Sequence, residues 1–245
     1  MPIYHVHFLT HDRIAETEAK RRKYFRTERY SYLKRPWLYQ YLRKQIDRGL
    51  NGKKWKIVTL TREPIGRNIS TFFENLEINL LSPGDQYEIK SDYYDIDHTV
   101  VKLDDMQELT SLFFDRLNHD VPLVFFDREL KGVFGIDVFA SDFPKSEGYK
   151  IYEGKQADVL LIRLENLNEC ACDALKKFLN INGFTLTNTN IGRKKDYALI
   201  YQKFKDSIAL PDAYINKMYG SKYMRHFYSE EEIQRFEAKW RSSGI

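Results

Sequence analysis

Cysteine is nearly absent. Only Cys170 and Cys172 carry thiols among the 245 residues. They lie two apart in an expected helix with no partner elsewhere, so neither a disulfide framework nor a zinc ribbon is available. Both read as small buried or half-buried residues. No apolar run approaches the roughly 18 residues of a membrane span, and the first residues lack a signal-peptide core. The expected location is the cytoplasm, with peripheral contact to the inner membrane as its variant. Internal repeats and low-complexity tracts are missing too, which argues against a solenoid or a long disordered linker. No Gly-x-x-x-x-Gly-Lys-Ser/Thr loop occurs: Gly52-Lys53-Lys54 leads into a strand rather than out of one and lacks the following hydroxyl residue.

What is present is an apolar content of 42% and an aromatic content of 15%, as expected of a folded chain. The length fits one domain over residues 1–245, with 205–245 as a helical C-terminal extension. The net charge of +4 hides an asymmetry. Residues 13–54 hold 14 Lys and Arg against 4 Asp and Glu, an excess of +10, and the remainder carries −6. Such a region can attract a nucleotide, an acidic polysaccharide, a membrane surface or nucleic acid, or can simply be a solvated face. Nucleic acid ranks last, because the aromatics are not interleaved with basic residues in any recognisable motif.

Strands alternating with helices predict an α/β protein with a mostly parallel sheet under helical cover. Strands are expected at Tyr4–Leu9, at Ile57–Leu60 (covered on both faces), at 150–152 and at 157–163, the last in the sheet centre. Helices are expected from about residue 11, from Pro36 with Leu38, Tyr41 or Leu42, Ile46 and Leu50 on its apolar face, and from Pro64 with Ile65, Ile69, Phe72, Phe73 and Leu76 inward. Further helices are expected after Asp104 or Asp105, around Phe178, and through the C-terminal third, where Ser229-Glu-Glu-Glu232 forms a capping box. Residues 82–99 read as a polar connection.

Residues 56–73 are the stretch around which the chain is organised. Arg62 falls at the carboxyl end of a strand, where open α/β sheets place ligand contacts. Arg67, Ser70 and Thr71 share one face of the following helix. A strand end, a guanidinium and a helix N-terminus together favour an anion; the alternative is that Glu63 and Arg67 form an exposed i,i+4 ion pair. His5 and His7, two apart, point to one side of an expected strand and can supply a general base. Such a pair can also bind zinc with His11 and Asp12, but His98, His119 and His226 fall in no spaced ligand cluster, so no metal is expected. Histidines hydrogen-bonded at the edge of a core are the third account.

Arg-Glu-Pro-x-x-Arg-x-x-Ser, residues 62–70, resembles the 3'-phosphate-binding segment of sulfotransferases that use PAPS (3'-phosphoadenosine 5'-phosphosulfate). The resemblance implies that Arg62 and Ser70 hold the 3'-phosphate, with Arg67 assisting. Tyr4-His-x-His is similar to the catalytic histidine pair of 2-O-sulfotransferases acting on glycosaminoglycans, which implies His5 or His7 as the base. Phe126-Asp-Arg-Glu-Leu, Phe134-Gly-Ile-Asp-Val, Leu161-Ile-Arg-Leu-Glu-Asn-Leu, Ser221-Lys-Tyr and His226-Phe-Tyr resemble a bacterial family of capsular polysaccharide synthesis proteins, itself sulfotransferase-like, over nearly the whole chain. Asn188, Asn190, Lys194 and Lys195 occupy the late loop that closes over the nucleotide in sulfotransferases, which implies Lys194 as a nucleotide contact; otherwise this is a polar loop.

The resemblance thus implies a P-loop NTPase-like sulfotransferase fold that transfers sulfate from PAPS, without a metal, to a polysaccharide hydroxyl. The first strand-loop-helix unit, which cradles the 5'-phosphosulfate in related chains, is expected to be missing. Either the start codon is misassigned or the gene broken, or the short chain binds without catalysing. Low or no turnover is the expectation. The alternative function is a non-catalytic module that holds an anionic glycan or nucleotide through residues 13–54.

Overall fold

Seven residues, Trp55–Thr61, form strand β1, whose exposure alternates along its length. Trp55, Ile57 and Thr59 are half-buried, while Lys56, Val58 and Leu60 face outward, with Val58 and Leu60 45% and 49% exposed. The expectation of cover on both faces is therefore wrong for β1. It stands at the end of the sheet order β1-β6-β5, and one of its faces is open. The doubly covered strand is the central one, β6 (Ala157–Arg163), buried at all seven positions. A short β-branched run does not distinguish these two environments. β5 (Tyr149–Glu153) joins β6 through a tight turn: the Gly154 amide donates to Ala157 O at 2.9 Å and the Arg163 amide to Gly148 O at 2.7 Å, an antiparallel register. The sheet is mixed, so β1 runs parallel to β6. Gly154 is required at the turn, since a Cβ there would lie 2.7 Å from Ala157 O.

The computed structural model describes residues 2–23, 36–76, 87–90, 93–96, 99–102, 105–183, 185–187 and 197–242. Its helices are α1 (His11–Lys23), α2 (Pro36–Arg48), α3 (Pro64–Glu74), α4 (Met106–Arg116), α5 (Val121–Phe125), α6 (Gly132–Phe134), α7 (Leu167–Leu179), α8 (Ala198–Ser207), α9 (Asp212–Tyr219), α10 (Lys222–Phe227) and α11 (Glu230–Ser242). A π-helical stretch, Phe126–Lys131, links α5 to α6. The fold is α/β as expected. The sheet, however, is small and mixed rather than mostly parallel, and the polar stretch read as a connection contains a second sheet. That sheet is an antiparallel meander of β2 (Tyr87–Lys90), β3 (Tyr93–Ile96) and β4 (Thr99–Lys102).

The chain divides into two compact units interleaved in sequence. The first comprises Met1–Thr59, Val124–Ser141 and Lys150–Leu161; the second comprises Leu60–Leu123, Asp142–Tyr149 and Ile162–Ile245. In the first unit, residues 2–10 form no strand, correcting the expectation for Tyr4–Leu9. The alternation is nevertheless present, with Phe8 buried and Val6 packed against the cluster of Phe8, Ile14 and Tyr39. What the segment lacks is a ladder. Its Leu9 and Thr10 amides donate instead to the buried Glu129 carboxylate, at 2.6 and 3.1 Å, and the Thr10 hydroxyl adds a 3.0 Å bond. Glu129 thereby puts negative charge at the start of α1, where the helix dipole favours it. On α2 the buried face is Leu38, Tyr39, Leu42 and Ile46, which settles the Tyr41-or-Leu42 choice in favour of Leu42.

In the second unit, all five residues that the periodicity assigned inward are buried: Ile65, Ile69, Phe72 and Phe73 on α3, and Leu76 just past its end. Phe72 and Phe73 meet Phe113 and Phe204 in an aromatic core with centroid separations of 5.2 to 6.0 Å. The expected caps form as well. Asp105 accepts from the Gln107 and Glu108 amides, and Ser229 and Glu232 close their box at 2.8 and 3.2 Å. Cys170 is buried, whereas Cys172 is exposed, against expectation.

Candidate functional site: the strand-end turn and its tyrosine brace

Thr61 ends β1 and Pro64 opens α3, so Arg62 and Glu63 form a two-residue turn between strand and helix. Pro64 has no amide hydrogen, and the next two amides are free to take an external acceptor. Glu63 supplies it: its carboxylate accepts from Ile65 N and Gly66 N, both at 2.7 Å. Gly66 is fixed by this cap, because a Cβ there would sit 2.6 Å from Glu63 Oε2 and 3.4 Å from Arg62 Nη2. The Arg62 guanidinium therefore lies over the first turn of α3. Glu63 is buried and caps the helix, so it is not the exposed partner of an i,i+4 pair. The amides of Ile65 and Gly66 are filled from within, which leaves recognition of an external anion at this turn to side chains.

Tyrosines of the C-terminal region brace this turn and the helix it opens: Tyr219 and Tyr223 directly, Tyr228 through Glu165, and Tyr214 further along α3. Tyr219 donates to Glu63 Oε1 at 2.6 Å. Tyr223 donates to Arg62 O at 2.7 Å, accepts from Arg62 N at 3.3 Å and is hydrogen-bonded to the Thr61 hydroxyl. Tyr228 donates to Glu165, and Glu165 Oε1 in turn accepts from the Glu63 amide at 2.9 Å. Tyr214 accepts from the Asn68 side-chain amide at 3.2 Å. Burial raises the pKa of all four phenols, with nearby carboxylates adding to the effect, so they remain protonated donors. Burial also pushes the Glu63 carboxyl up, against the pull of its three donors and of Arg62.

Behind α3 runs a directional hydrogen-bond chain. His119 Nε2 faces Phe113 O at 2.9 Å and must donate, so Nδ1 accepts from the Tyr214 hydroxyl at 2.8 Å. Asn68 Nδ2 donates to Tyr214 and to His119 O, while its Oδ1 accepts from Arg67 Nη1 at 3.2 Å. Asn68 is wholly buried, and burial lowers the His119 pKa, which keeps the imidazole in this neutral tautomer. The chain therefore ends on the guanidinium of Arg67. A further lock lies at the end of β6, where buried Arg163 pairs with Glu232, donates to Lys145 O at 3.0 Å and covers the Tyr228 ring at 4.4 Å.

Arg62, Arg67 and Ser70 thus lie in one turn-and-helix segment of the second unit, all half-buried. Lys194, like Asn188, Asn190 and Lys195, lies outside the described residues. His5 and His7 belong to the first unit, exposed, with ring centroids 4.8 Å apart. Among the described residues, no group of three or more His, Cys, Asp or Glu is placed to hold a metal ion, and no helix is long and apolar enough to cross a membrane. The brace itself was missed in sequence. Its signal was the recurrence of tyrosine at 214, 219, 223 and 228, which no helical period explains.

These features describe an α/β protein in which a C-terminal helical layer holds a strand-end turn bearing arginine. Its family can be stated: residues 85–229, more than half of the chain, match the NKWYS family model, described as "putative capsular polysaccharide synthesis protein", and the chain belongs to that family. The match takes in Glu165, His119 and all four tyrosines but not Arg62–Ser70, so it covers the residues that grip the turn rather than the turn itself. No curated protein and no solved structure matches the chain.

Proposed function

We propose that this member of a capsular polysaccharide synthesis family is a PAPS-dependent sulfotransferase of P-loop NTPase-like type, acting on a hydroxyl of a surface polysaccharide. The observation that carries the reading is the fixing of Arg62. Its backbone is held on both sides by Tyr223 and its guanidinium lies over the first turn of α3, in the segment where the sulfotransferase resemblance expects a 3'-phosphate. Arg67 and Ser70 on the next turns would complete that contact, and two guanidiniums suit a dianionic phosphate. In the transfer, His5 or His7 would take the proton of the acceptor hydroxyl. The acceptor oxygen bonds to sulfur as the bond from sulfur to the bridging phosphate oxygen breaks, releasing adenosine 3',5'-bisphosphate.

The Glu63 cap favours a second reading, a module that binds an anionic ligand without transferring sulfate, because the amides of Ile65 and Gly66 are already occupied. Calorimetric titration of the full chain with adenosine 3',5'-bisphosphate decides first. Binding lost in Arg62→Ala supports the nucleotide site, and absence of binding by the folded chain overturns it. Sulfate transfer to a polysaccharide that is lost in His7→Ala or His5→Ala then separates enzyme from binder.

A further inference from the structure

Helix α2 leaves its largest side chain in the open. Its core face is filled by Leu38, Tyr39, Leu42 and Ile46, while Trp37 and Tyr41 are 62% and 47% exposed. The two are four residues apart and so lie side by side on one face. Lys44 and Arg48, both exposed, continue the same stripe at the next turns. At 3.6 residues per turn, positions 37, 41, 44 and 48 stay within about 60° of arc on one side and run about 16 Å along the axis. An ordinary solvated face would carry polar residues there, not an aromatic pair.

We propose that this stripe is a binding site for an acidic polysaccharide. The C–H faces of sugar rings are apolar and pack on aromatic rings, and Trp37 and Tyr41 offer two such surfaces in succession, each with a polar edge for the hydroxyls. Lys44 and Arg48 would then meet carboxylate or sulfate groups further along the same chain. The acidic residue of this helix is already engaged, Asp47 pairing with Arg43 at 2.5 Å and lying 3.7 Å from His11. The surrounding residues 13–54 add the excess of +10 that would draw a polyanion in. A lipid surface is the poorer fit, because an interfacial helix spends its apolar face on the membrane, and here that face is packed in the first unit. The inference takes its ligand class from family membership and does not depend on the nucleotide.

The test is calorimetric titration of the full chain and of each variant, with Trp37 fluorescence followed in the wild type alone, against heparin as an acidic polysaccharide, dextran as a neutral one, and vesicles of phosphatidylserine and phosphatidylcholine. Heparin should bind, and Trp37→Ala/Tyr41→Ala should weaken it about tenfold, the loss of two ring contacts. Lys44→Ala/Arg48→Ala should flatten the salt dependence, and Lys53→Ala/Lys54→Ala, off the stripe, should change heparin affinity much less than either. Heparin affinity unchanged in the aromatic variant, no heparin binding at all, or a Trp37 signal with vesicles in place of heparin each overturns the proposal. Adenosine 3',5'-bisphosphate titrations of the same variants separate the two readings, since nucleotide binding can fail while the heparin result stands.

Discussion

The histidine segment at residues 2–10 and the turn at Arg62–Glu63 are both held by a buried carboxylate on backbone amides, and they differ in everything built around that contact. At the first, Glu129 takes Leu9 and Thr10, and the histidines beside them stay in the open. At the second, Glu63 takes Ile65 and Gly66, and Tyr219, Tyr223 and Glu165 hold Glu63 and its neighbour Arg62 from outside. Around the first, what lies next to the cap is apolar, with Phe8 stacked on Tyr39. A cap inside a hydrogen-bonded brace fixes the direction of the side chain it carries, here that of Arg62.

The largest effect expected from breaking this contrast is at Glu63. Glu63→Ala strands two helix amides and a buried phenol, and should cost about 2–4 kcal/mol in urea unfolding. A loss no greater than that of an exposed substitution would show that the brace does not depend on the cap. Next comes Arg163→Met, which leaves Glu232 without its partner and should cost about 3 kcal/mol. This pair also carries a pH signature. Burial alone would raise the Glu232 carboxyl, but Arg163 and Ser229 outweigh it and lower it below 4.5. Its stability contribution is therefore complete above the unfolded value and is lost as pH falls through the depressed folded one. Acid unfolding curves of Glu232→Gln should be flatter than wild type in that range.

A smaller effect sharpens the comparison at Arg67. Tyr214→Phe removes the link between His119 and Asn68 and should weaken adenosine 3',5'-bisphosphate about fivefold, one hydrogen bond's worth. In an Arg67→Ala background the same change should do nothing further; an equal loss in both backgrounds would mean that Tyr214 does not act through Arg67. His119 sets the pH sign for this chain. Its pKa is lowered on folding, so its contribution is complete above the unfolded value of about 6.5 and shrinks as pH drops below it. The smallest structural effect is expected at the histidine segment, where His5→Ala and His7→Ala should leave the melting temperature unchanged. A substantial drop there would mean the pair serves the fold rather than the chemistry.

Features that rest on neighbours three or four residues apart were legible in the sequence: the inward face of α3, the Asp105 cap, the Ser229–Glu232 box. So was β6, apolar enough to be placed in the centre. The meander of β2, β3 and β4 was not, because strands of four residues are too short for their period to stand out in a stretch rich in Asp and Tyr. The segment at 4–9 shows the opposite failure, since it alternates like a strand yet its amides go to a carboxylate 120 residues away. The candidate site divides the same way. Arg62, Arg67 and Ser70 could be read from their spacing, whereas the tyrosines that brace the Arg62–Glu63 turn act across sequence separations of 156 and 161 residues. Several of those distant residues, Arg163, Glu165, Tyr223 and Tyr228, were nevertheless within the stretches that carried the family resemblance.

Val58 and Leu60 on the open face of β1 bear on how the protein behaves in a concentrated stock. An end strand with apolar side chains in the open is a template for unwanted pairing, and Lys56, next to Val58 on the same face, is the sort of charge that discourages it. Colloidal repulsion has little else to draw on. The net charge is only +4, and it vanishes as pH rises toward the isoelectric point near 8.8. Stocks kept well below that pH and at low salt should stay clear, and turbidity on raising either would trace to this strand if Leu60→Lys abolishes it.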